Sequence, residues 1–211
     1  MRNFVFLSFF LTIIITSCSP IDKSTLIKGS TVTIPPKGYE SLFMGMFEKS
    51  LFRTTMDIRE FHLTGYTIIK KTADTSYRIV FANDIGMTVF DVEFIREKFT
   101  CHYIFNPMQK KALLKIIEAD LRTLMFYSFS TEDVVKYTDK NSASPVLYLR
   151  ETGSYYFIDP EKFHITEIAG GTNLWDRYRI KFEYPKGTFV KNIRLDNPGI
   201  GLIIKLGWIS Q

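Results

Sequence analysis

Three histidines are the residues most suggestive of metal or acid–base chemistry, and their spacing argues against both. His62, His102 and His164 lie in three separate predicted strands. None of them has the spacing of a metal-binding pair such as H-x-x-x-H, and His62 and His102 alternate with apolar neighbours. We therefore expect sheet-face histidines and no metal site.

Other catalytic arrangements are equally poorly supported. The serines are scattered, and no G-x-S-x-G nucleophile elbow is present. The stretch from Gly170 to Asn173 lacks a following helix, so it predicts a turn rather than a phosphate cradle. Asp91 and Glu93 share one strand face as a carboxylate pair would, but strict alternation with apolar residues predicts an exposed outer edge. The sequence predicts no enzyme and no cofactor.

Cys18 is the residue whose surroundings do predict covalent chemistry. A charged start at Arg2 precedes an apolar run from Phe4 to Ile15 and two small polar residues, which is typical of a secretory signal. The run is too short for a permanent membrane span. A cysteine directly after Thr16-Ser17 resembles the bacterial lipobox, in which the signal is cut before the cysteine and the thiol is acylated. The alternative is an ordinary signal with an incidental cysteine.

This interpretation divides the chain into three parts. Residues 1–17 are the signal, residues 18–38 form a lipidated N-terminus and tether, and residues 39–211 form the folded domain. A triacylated cysteine meets the need for more than one acyl chain in stable membrane anchoring. Removal of residues 1–17 from the 211-residue chain leaves 194, enough for one domain with a sizeable core.

Composition narrows the class of protein further. The chain has 19 Phe and 11 Tyr, and aromatic residues in such numbers favour strands or an apolar cavity. The net charge of +5 is mild and the basic residues are scattered, so we expect no nucleic-acid partner. Cys101 has no disulfide partner if Cys18 carries lipid, and its alternating strand predicts a buried small residue rather than a nucleophile.

A change of periodicity organises the domain. After a helical stripe at Tyr39–Lys49, period-two alternation predicts five strands, then a helix at Gln109–Met125, then six more strands. Ser130–Asp133 resembles a helix start that leads into Val134 and Val135, and Thr31–Ile34 a short extended piece of the tether. Short turns require antiparallel neighbours, and eleven strands in one sheet must curl. The predicted strands are 51–56, 61–71, 77–83, 87–96, 99–105, 146–150, 155–158, 163–168, 175–184, 189–195 and 201–209.

Two regions of the chain resemble a known family. The stretch Tyr77–Val92 resembles the third and fourth strands of the LolA/LolB-like lipoprotein-localisation family, its LolB-like members in particular. The matching positions are Tyr77, Arg78, Asn83, Ile85, Gly86, Thr88, Phe90 and Asp91. The C-terminal segments follow the family's order and spacing, so that the resemblance covers roughly Phe47 to Ile209; these segments are Phe163–Ile168, Tyr178–Phe182, Asn192–Leu195, Leu202–Lys205 and Trp208.

The resemblance implies a fold and a function. The family fold is an eleven-stranded antiparallel half-open β-barrel closed by helices, a mainly β (α+β) architecture, with an apolar cavity for lipoprotein acyl chains. The strand count made from periodicity leads to the same architecture. The chain departs from the family in having Ile85 where the receptor has Leu, and Lys70-Lys71 and Asn141–Thr152 have no counterpart.

Ile85 and Gly86 form the predicted membrane-contact loop. An isoleucine at a turn tip gains nothing from solvent, so it either folds back onto a neighbour or serves a partner surface. The match to the family's protruding leucine implies a membrane-inserting tip.

The predicted acyl-chain cavity lies between the concave face of the sheet and the helix at Gln109–Met125. Alternation offers more aromatic surface than one sheet face needs, although it does not fix which residues face inward. The candidate lining residues are Phe61, Leu63, Ile79, Phe81, Phe90, Val92, Phe94, Tyr103, Leu113 and Ile117.

Together these features predict an outer-membrane lipoprotein that faces the periplasm. It would bind acyl chains of lipoproteins or lipids, with a periplasmic LolA-like carrier as a candidate donor, and take part in their transfer to the outer membrane. Two classes compete with this interpretation. One is an accessory lipoprotein that uses the fold as a scaffold in a cell-envelope machine, and the other is a hydrolase that acts on envelope lipid.

Overall fold

The computed structural model describes residues 21, 23–31, 48–74, 76–96, 98–125, 134–150, 152–162, 164–171, 177–185 and 190–210. Within these residues the chain forms thirteen antiparallel strands in one sheet and one α-helix, α1 (Lys111–Met125). The strands are β1 (Leu26–Thr31), β2 (Lys49–Ile58), β3 (Phe61–Ala73), β4 (Ser76–Asn83), β5 (Thr88–Ile95), β6 (Lys98–Ile104), β7 (Val134–Asp139), β8 (Pro145–Leu149), β9 (Ser154–Ile158), β10 (Ile165–Gly170), β11 (Tyr178–Glu183), β12 (Asn192–Asn197) and β13 (Leu202–Ser210).

The sheet is open, with β1 at one edge and β6 at the other. Its order is β1-β7-β8-β9-β10-β11-β12-β13-β2-β3-β4-β5-β6. The eleven strands predicted from periodicity are present and lie side by side, from β8 through β13 and β2 to β6. The two additional strands, β1 and β7, pair with each other and extend the sheet beyond β8. The prediction of an eleven-stranded half-barrel is therefore corrected to a thirteen-stranded open sheet.

Alternation places one face of the sheet in the main core. Along β2, the even-numbered residues from Ser50 to Ile58 are buried and the residues between them are more exposed. The same period of two continues around the sheet, because successive side chains of a strand point to opposite faces. One apolar cluster draws inward side chains from β2–β13 and from α1. We call this the inner face, and the opposite one the outer face.

Helix α1 covers part of the inner face. Pro107 occupies a short 3₁₀ turn at Asn106–Met108, which separates β6 from the helix. The helix is strongly amphipathic, and its apolar stripe packs against the sheet. Its buried apolar residues are Ile117, Leu121, Leu124 and Met125. The helix predicted at Gln109–Met125 is thus present and begins two residues later.

Two expectations about local structure are wrong. Leu26–Thr31, assigned to the tether, forms β1, in which Leu26 pairs with Asp139. Val134 and Val135, expected to continue a helix, begin β7 and pair with Leu149 and Tyr148. Cross-strand pairing of β-branched residues overrides the local helix-start signal. The helix start itself (130–133), the extended piece beyond Thr31 and the helical stripe before Glu48 lie outside the described residues.

A bulge in β6 reverses one predicted side chain. Asp91 pairs with Tyr103, whereas Val92 pairs with Cys101, so that His102 is an extra residue on β6. Because a bulge shifts the alternation by one residue, Cys101 packs against the inner cluster and Tyr103 lies on the outer face with 45 % of its surface exposed. The assignment of Tyr103 to the cavity is therefore wrong.

A second, smaller apolar cluster lies on the outer face of β7–β10. Val146, Tyr155 and Ala169 are buried there, although their sequence neighbours belong to the inner cluster. Ile21, which precedes β1, is part of this outer cluster and has only 4 % of its surface exposed. The rings of Tyr148 and Tyr155 are 4.5 Å apart between centroids and extend the cluster. The outer cluster ties the segment before β1 to the sheet.

Candidate functional site

A small apolar gap lies between α1 and the inner face. Its volume is about 20 Å³, comparable to the space of one water molecule. Small-molecule sites typically have about 300–1,000 Å³, so the gap is too small for an acyl chain, and the cavity predicted between the sheet and the helix is not open in this structure. All the lining residues except Thr67 are apolar: Ile69 and Ile79, Phe90, Leu121 and Leu124, Ile193 and Leu195, Ile204 and Leu206.

The predicted cavity residues fall into three groups. Ile79 and Phe90 line the gap directly. Phe81, Val92, Phe94 and Ile117 are buried in the surrounding inner cluster, while Phe61, Leu63 and Leu113 are half-buried against it. Tyr103 is the exception on the outer face. The lining residues from β12 and β13 were missed, although their alternation was recognised, because one sequence does not show which strands meet beneath a helix.

A buried polar contact joins α1 to the sheet beside this apolar region. Asn197 at the end of β12 donates hydrogen bonds from Nδ2 to both carboxylate oxygens of Asp120, at 3.0 and 3.3 Å. Both residues are almost completely buried. A buried carboxylate is costly unless it is hydrogen-bonded, so this contact favours one seating of the helix on the sheet.

The β4–β5 hairpin presents Ile85 to solvent. Ile85 is 87 % exposed, the most exposed of the large apolar residues described. Gly86 has φ +83°, in the left-handed region that glycine adopts without strain, and its N–H donates to Asn83 O at 2.9 Å. The side chain of Asn83 accepts a further hydrogen bond from the N–H of Met87 at 2.8 Å. The turn is therefore well defined, with Ile85 at its outermost point.

An ionic clamp braces the same hairpin from neighbouring strands. Arg53 on β2 forms a two-point ion pair with Asp84, with Nη2 donating to Oδ2 at 2.9 Å, and Thr64 on β3 donates to the same carboxylate. These hydrogen bonds, that of Arg53 first, lower the pKa of Asp84. Arg53 also lies over the ring of Tyr66, 4.9 Å from its centroid. The clamp limits tilting of the tip that carries Ile85.

Gly65 allows the tip to approach β3. A Cβ at this position would lie 2.0 Å from the carbonyl oxygen of Ala82 and 2.6 Å from Cα of Asn83. Since Gly65 pairs with Asn83, any side chain there would push the hairpin away from the sheet. Gly65 was not among the predicted site residues, although a glycine inside a strand is the signal for close backbone approach.

The candidate catalytic groups contact different partners and do not form one shared site. Asp91 accepts two hydrogen bonds from Arg78, at 2.9 and 2.7 Å, whereas its neighbour Glu93 contacts His102 at 3.0 Å. His62 pairs with Asp57. Among the described residues, no group of three or more His, Cys, Asp or Glu side chains is arranged to hold a metal ion. The carboxylate pair is thus held in separate surface contacts.

His164 and Cys101 occupy partly buried positions. The His164 ring stacks on Tyr184 at 3.8 Å between centroids, and its Nδ1 is buried with no hydrogen-bond partner in the described part of the chain. Burial lowers the pKa of His164, against the opposing effect of Asp159. Burial also raises the pKa of the Cys101 thiol, which keeps this half-buried cysteine in its less reactive protonated form.

The predicted anchor at Cys18 lies outside the described residues, as do the signal and residues 19–20. Acylation of Cys18 therefore stays a prediction. Among the helices that the structure describes, none combines the length and the apolar character needed to cross a bilayer.

Comparison with known proteins gives structural likeness without sequence likeness. No protein-family model matches the chain, and no curated protein sequence does. A LolA superfamily protein from Nitrosomonas europaea is similar with a TM-score of 0.42 and 6 % identity, covering 77 % of this chain and 83 % of that one. A DUF1329 family protein from Desulfovibrio piger has a TM-score of 0.40 and 8 % identity, covering 79 % and 85 % of the two chains.

A third similar structure is an outer membrane lipoprotein-sorting protein domain from Vibrio parahaemolyticus. It has a TM-score of 0.40 and 8 % identity, and covers 82 % of this chain and 86 % of that one. With such low identities and scores, the function of this chain is argued from its own residues.

Proposed function

We propose that this protein is a lipoprotein of the cell envelope, anchored through acylated Cys18 to the periplasmic side of the outer membrane, that binds acyl chains and passes them to that membrane. The observation that carries the proposal is the exposed Ile85 on a braced hairpin tip. An ion pair and a glycine hold this isoleucine where it contributes nothing to the core. Such an arrangement suits insertion into a lipid surface.

Acyl chains would bind between α1 and the inner face. The gap there is apolar but closed, so an entering chain has to displace the helix from part of the sheet. Each methylene of the ligand that is buried stabilises the complex by about 0.8 kcal/mol, whereas exposing the apolar side chains of α1 to water costs a comparable free energy per unit area. The two effects offset each other, which makes binding near-neutral and allows release. The mechanism is non-covalent and employs no catalytic group.

Delivery would take place at the β4–β5 tip. Ile85 enters the lipid surface, and the flanking Met87, 37 % exposed, adds apolar contact. The partners are the acyl chains of lipoproteins or lipids, brought by a periplasmic carrier of the LolA-like kind. No part of this scheme requires a nucleic acid or a cofactor.

The filled interior favours a second candidate. With a gap of about 20 Å³ beneath α1, the fold is also suited to an accessory lipoprotein that serves as a scaffold in an envelope machine. The buried Asp120–Asn197 contact, which favours one seating of the helix, points the same way. The scaffold requires no movement of α1, whereas the carrier does.

One experiment separates these functions. The protein is purified from its native envelope in mild detergent, and its intact mass is compared before and after organic extraction. For the carrier we expect a covalent mass increase on the peptide that begins at Cys18, and a separate, extractable acylated ligand. A lipidated protein with no extractable ligand, and no uptake of a fluorescent fatty acid, would favour the scaffold. An unmodified Cys18 would overturn the anchor, and turnover of an ester substrate would favour the hydrolase.

A further inference from the structure

An open groove on the outer face, away from α1, has a volume of about 570 Å³. It runs across the start of β11, the end of β12 and the start of β13. Three arginines are among its lining residues, with one carboxylate and an apolar floor. These are Arg177, Arg179, Arg194 and Asp196, with Ile203 in the floor; Leu202 also borders the groove, but its side chain is buried in the inner cluster.

The register fixes the charged side chains on the outer face. Arg179 pairs with Ala169 of the outer cluster and, on its other side, with Asp196. Asp196 in turn pairs with Ile203. Directly opposed residues of antiparallel strands share a face, so these side chains lie side by side across the sheet. The groove therefore has a continuous charged wall built on strands rather than on loops alone.

The arginines are held in place by carboxylates without being fully neutralised. Arg194 donates to both oxygens of Asp196, at 2.7 and 2.8 Å, and Arg179 contacts Glu167 at 3.0 Å. Lys181 lies 3.8 Å from the same Glu167. Arg179, Lys181 and Arg194 thus have two close carboxylates, Glu167 and Asp196, and the more distant Asp57, which acts electrostatically on Arg194, while Arg177 adds a fourth positive charge to the groove lining. Positive charge remains in excess, and guanidinium groups suit phosphate oxygens.

The groove shares the outer face with the docked segment that begins at Ile21. Ile21 is buried in the outer cluster with Ala169, and Arg179 is one strand away from Ala169, about 5 Å. Cys18 precedes Ile21 by three residues, which span at most about 10 Å. If Cys18 carries lipid, as the proposed function holds, the docked Ile21 keeps this part of the outer face within reach of the headgroup layer. A free phosphate would need no such placement.

We propose that the groove lined by Arg177, Arg179 and Arg194 binds the phosphate of an anionic phospholipid headgroup beside the protein's own lipid anchor. The guanidinium groups contact the phosphate oxygens, and Ile203, which lies beside Asp196 on the outer face, contacts the glycerol end of the acyl chains. This inference rests on the anchor of the proposed function for its lipid source, and on the groove alone for its phosphate chemistry.

The test uses the purified full-length mature protein in a detergent that lacks phosphate. Binding of dihexanoyl phosphatidylglycerol, below its micelle concentration, is measured by calorimetry and compared with inorganic phosphate. We expect saturable binding of the lipid, at least tenfold tighter than that of phosphate. Arg177→Gln and Arg194→Gln should each weaken lipid binding by roughly tenfold.

Arg78→Gln is the matched control. Arg78 also donates two hydrogen bonds to a carboxylate, that of Asp91, and has similar exposure to Arg194, but it lies on β4. Its loss should leave lipid binding unchanged, and circular dichroism establishes that all three variants fold. Equal affinity for phosphate and lipid would assign the groove to free phosphate and contradict the proposed phospholipid site. No binding of either, or equal weakening by Arg78→Gln, would overturn the site.

The outcome is independent of acyl-chain transfer. If the protein binds the short-chain lipid through these arginines but carries no extractable acyl ligand, the groove stands and the carrier function falls. If a fluorescent fatty acid binds beneath α1 and the arginine substitutions change nothing, the carrier stands and the groove falls. Displacement of that fatty acid by dihexanoyl phosphatidylglycerol, at the same strength in Arg177→Gln, would assign the lipid to the gap and overturn the groove.

Discussion

Ile85 contributes little to the stability of the fold, because other side chains hold the turn on which it lies. The residue is 87 % exposed, whereas the Arg53–Asp84 clamp beside it is made by other side chains. Stability and the proposed lipid contact are therefore separable at this position. The spacing of Asp84, Ile85 and Gly86 was enough to predict a turn, and the resemblance was needed to predict exposure. The structure supplies the bracing, which no sequence pattern had indicated.

Ile85→Glu is expected to change the free energy of unfolding by less than about 0.5 kcal/mol, as exposed substitutions usually do. Transfer of a bound fluorescent acyl ligand to liposomes should fall roughly tenfold or more, because a carboxylate resists entry into lipid. Ile95→Glu is the matched control, since Ile95 is 48 % exposed at the other end of β5. Equal loss of transfer in both variants, or loss in neither, would contradict the role of the tip.

His164 gives the fold a pH dependence whose sign follows from burial. Its pKa in the folded protein lies below the ordinary 6.5, mainly because burial disfavours the charged ring. As the pH falls, the unfolded chain takes up the proton first. The contribution of His164 to stability is therefore complete above about pH 6.5 and declines as the pH falls towards the lowered value.

The measurement compares melting temperatures at pH 7.5 and pH 5.5. His164→Phe retains a ring to stack on Tyr184 and cannot be protonated, so its melting temperature should decrease less between the two pH values than that of the wild type. His62→Phe, at an exposed histidine, controls for the general effect of losing a histidine. The explanation is wrong if His164→Phe and the wild type decrease equally.

At the scale of elements, strand and helix assignment followed periodicity wherever burial was one-sided. All eleven predicted strands are present, and α1 carries the apolar stripe that the periodicity predicts. β1 was missed because Leu26–Thr31 contains a glycine and few apolar residues, and β7 because a local helix-start signal precedes Val134, whereas its pairing with β1 and β8 cannot be seen in one sequence. The bulge at His102 places Tyr103 on the outer face instead of the inner one. A single sequence could not predict this, because it does not show the pairing register.

Gly65 tests the approach of β3 to the β4–β5 tip. Gly65→Ala would put a Cβ against the backbone of Ala82, which cannot yield as a flexible side chain does. We expect a loss of about 1–3 kcal/mol or more in the free energy of unfolding by urea. Gly207→Ala is the matched control in β13, where the nearest atom is 3.6 Å away, and it should change stability by less than about 1 kcal/mol. Similar losses in both would show that the close approach is unimportant.

The seating of α1 depends in part on Asn197. Asn197→Ala removes two hydrogen bonds from the buried carboxylate of Asp120, and we expect a loss of about 1–3 kcal/mol in the free energy of unfolding. Uptake of a fluorescent fatty acid should become faster if the helix must lift for entry. In a double-mutant cycle with Asp120→Ala, the stability lost in the double variant should be smaller than the sum of the losses in the two single variants. Additive losses with unchanged uptake would separate this contact from any movement of the helix.

For the whole molecule, the position of the N-terminal segment decides how the domain would meet the membrane through the proposed anchor at Cys18. The sequence predicted a lipidated N-terminus and tether over residues 18–38. The structure instead places Ile21 in the outer cluster and Leu26–Thr31 in the sheet, and Lys140 donates to the carbonyl oxygen of Ser24 at 2.6 Å. This segment contains too few apolar residues for their spacing to predict that it packs on the sheet. The connection from Cys18 to the fold is thus three residues long.

Lengthening this connection should alter orientation without altering the fold. A twenty-residue Gly-Ser linker inserted between Pro20 and Ile21 has a root-mean-square length of about 25 Å and releases the domain from the surface. In a Cys101→Ser background, a fluorophore on Lys181→Cys beside the arginine groove reports its distance from the bilayer through quenching by spin-labelled lipids. We expect strong quenching with the native connection, much weaker quenching with the linker, and the same melting temperature for both. The same linker placed between Asn141 and Ser142, an exposed turn, should leave quenching unchanged. Quenching that stays weak in every variant would show that the docked Ile21 does not hold this face at the membrane.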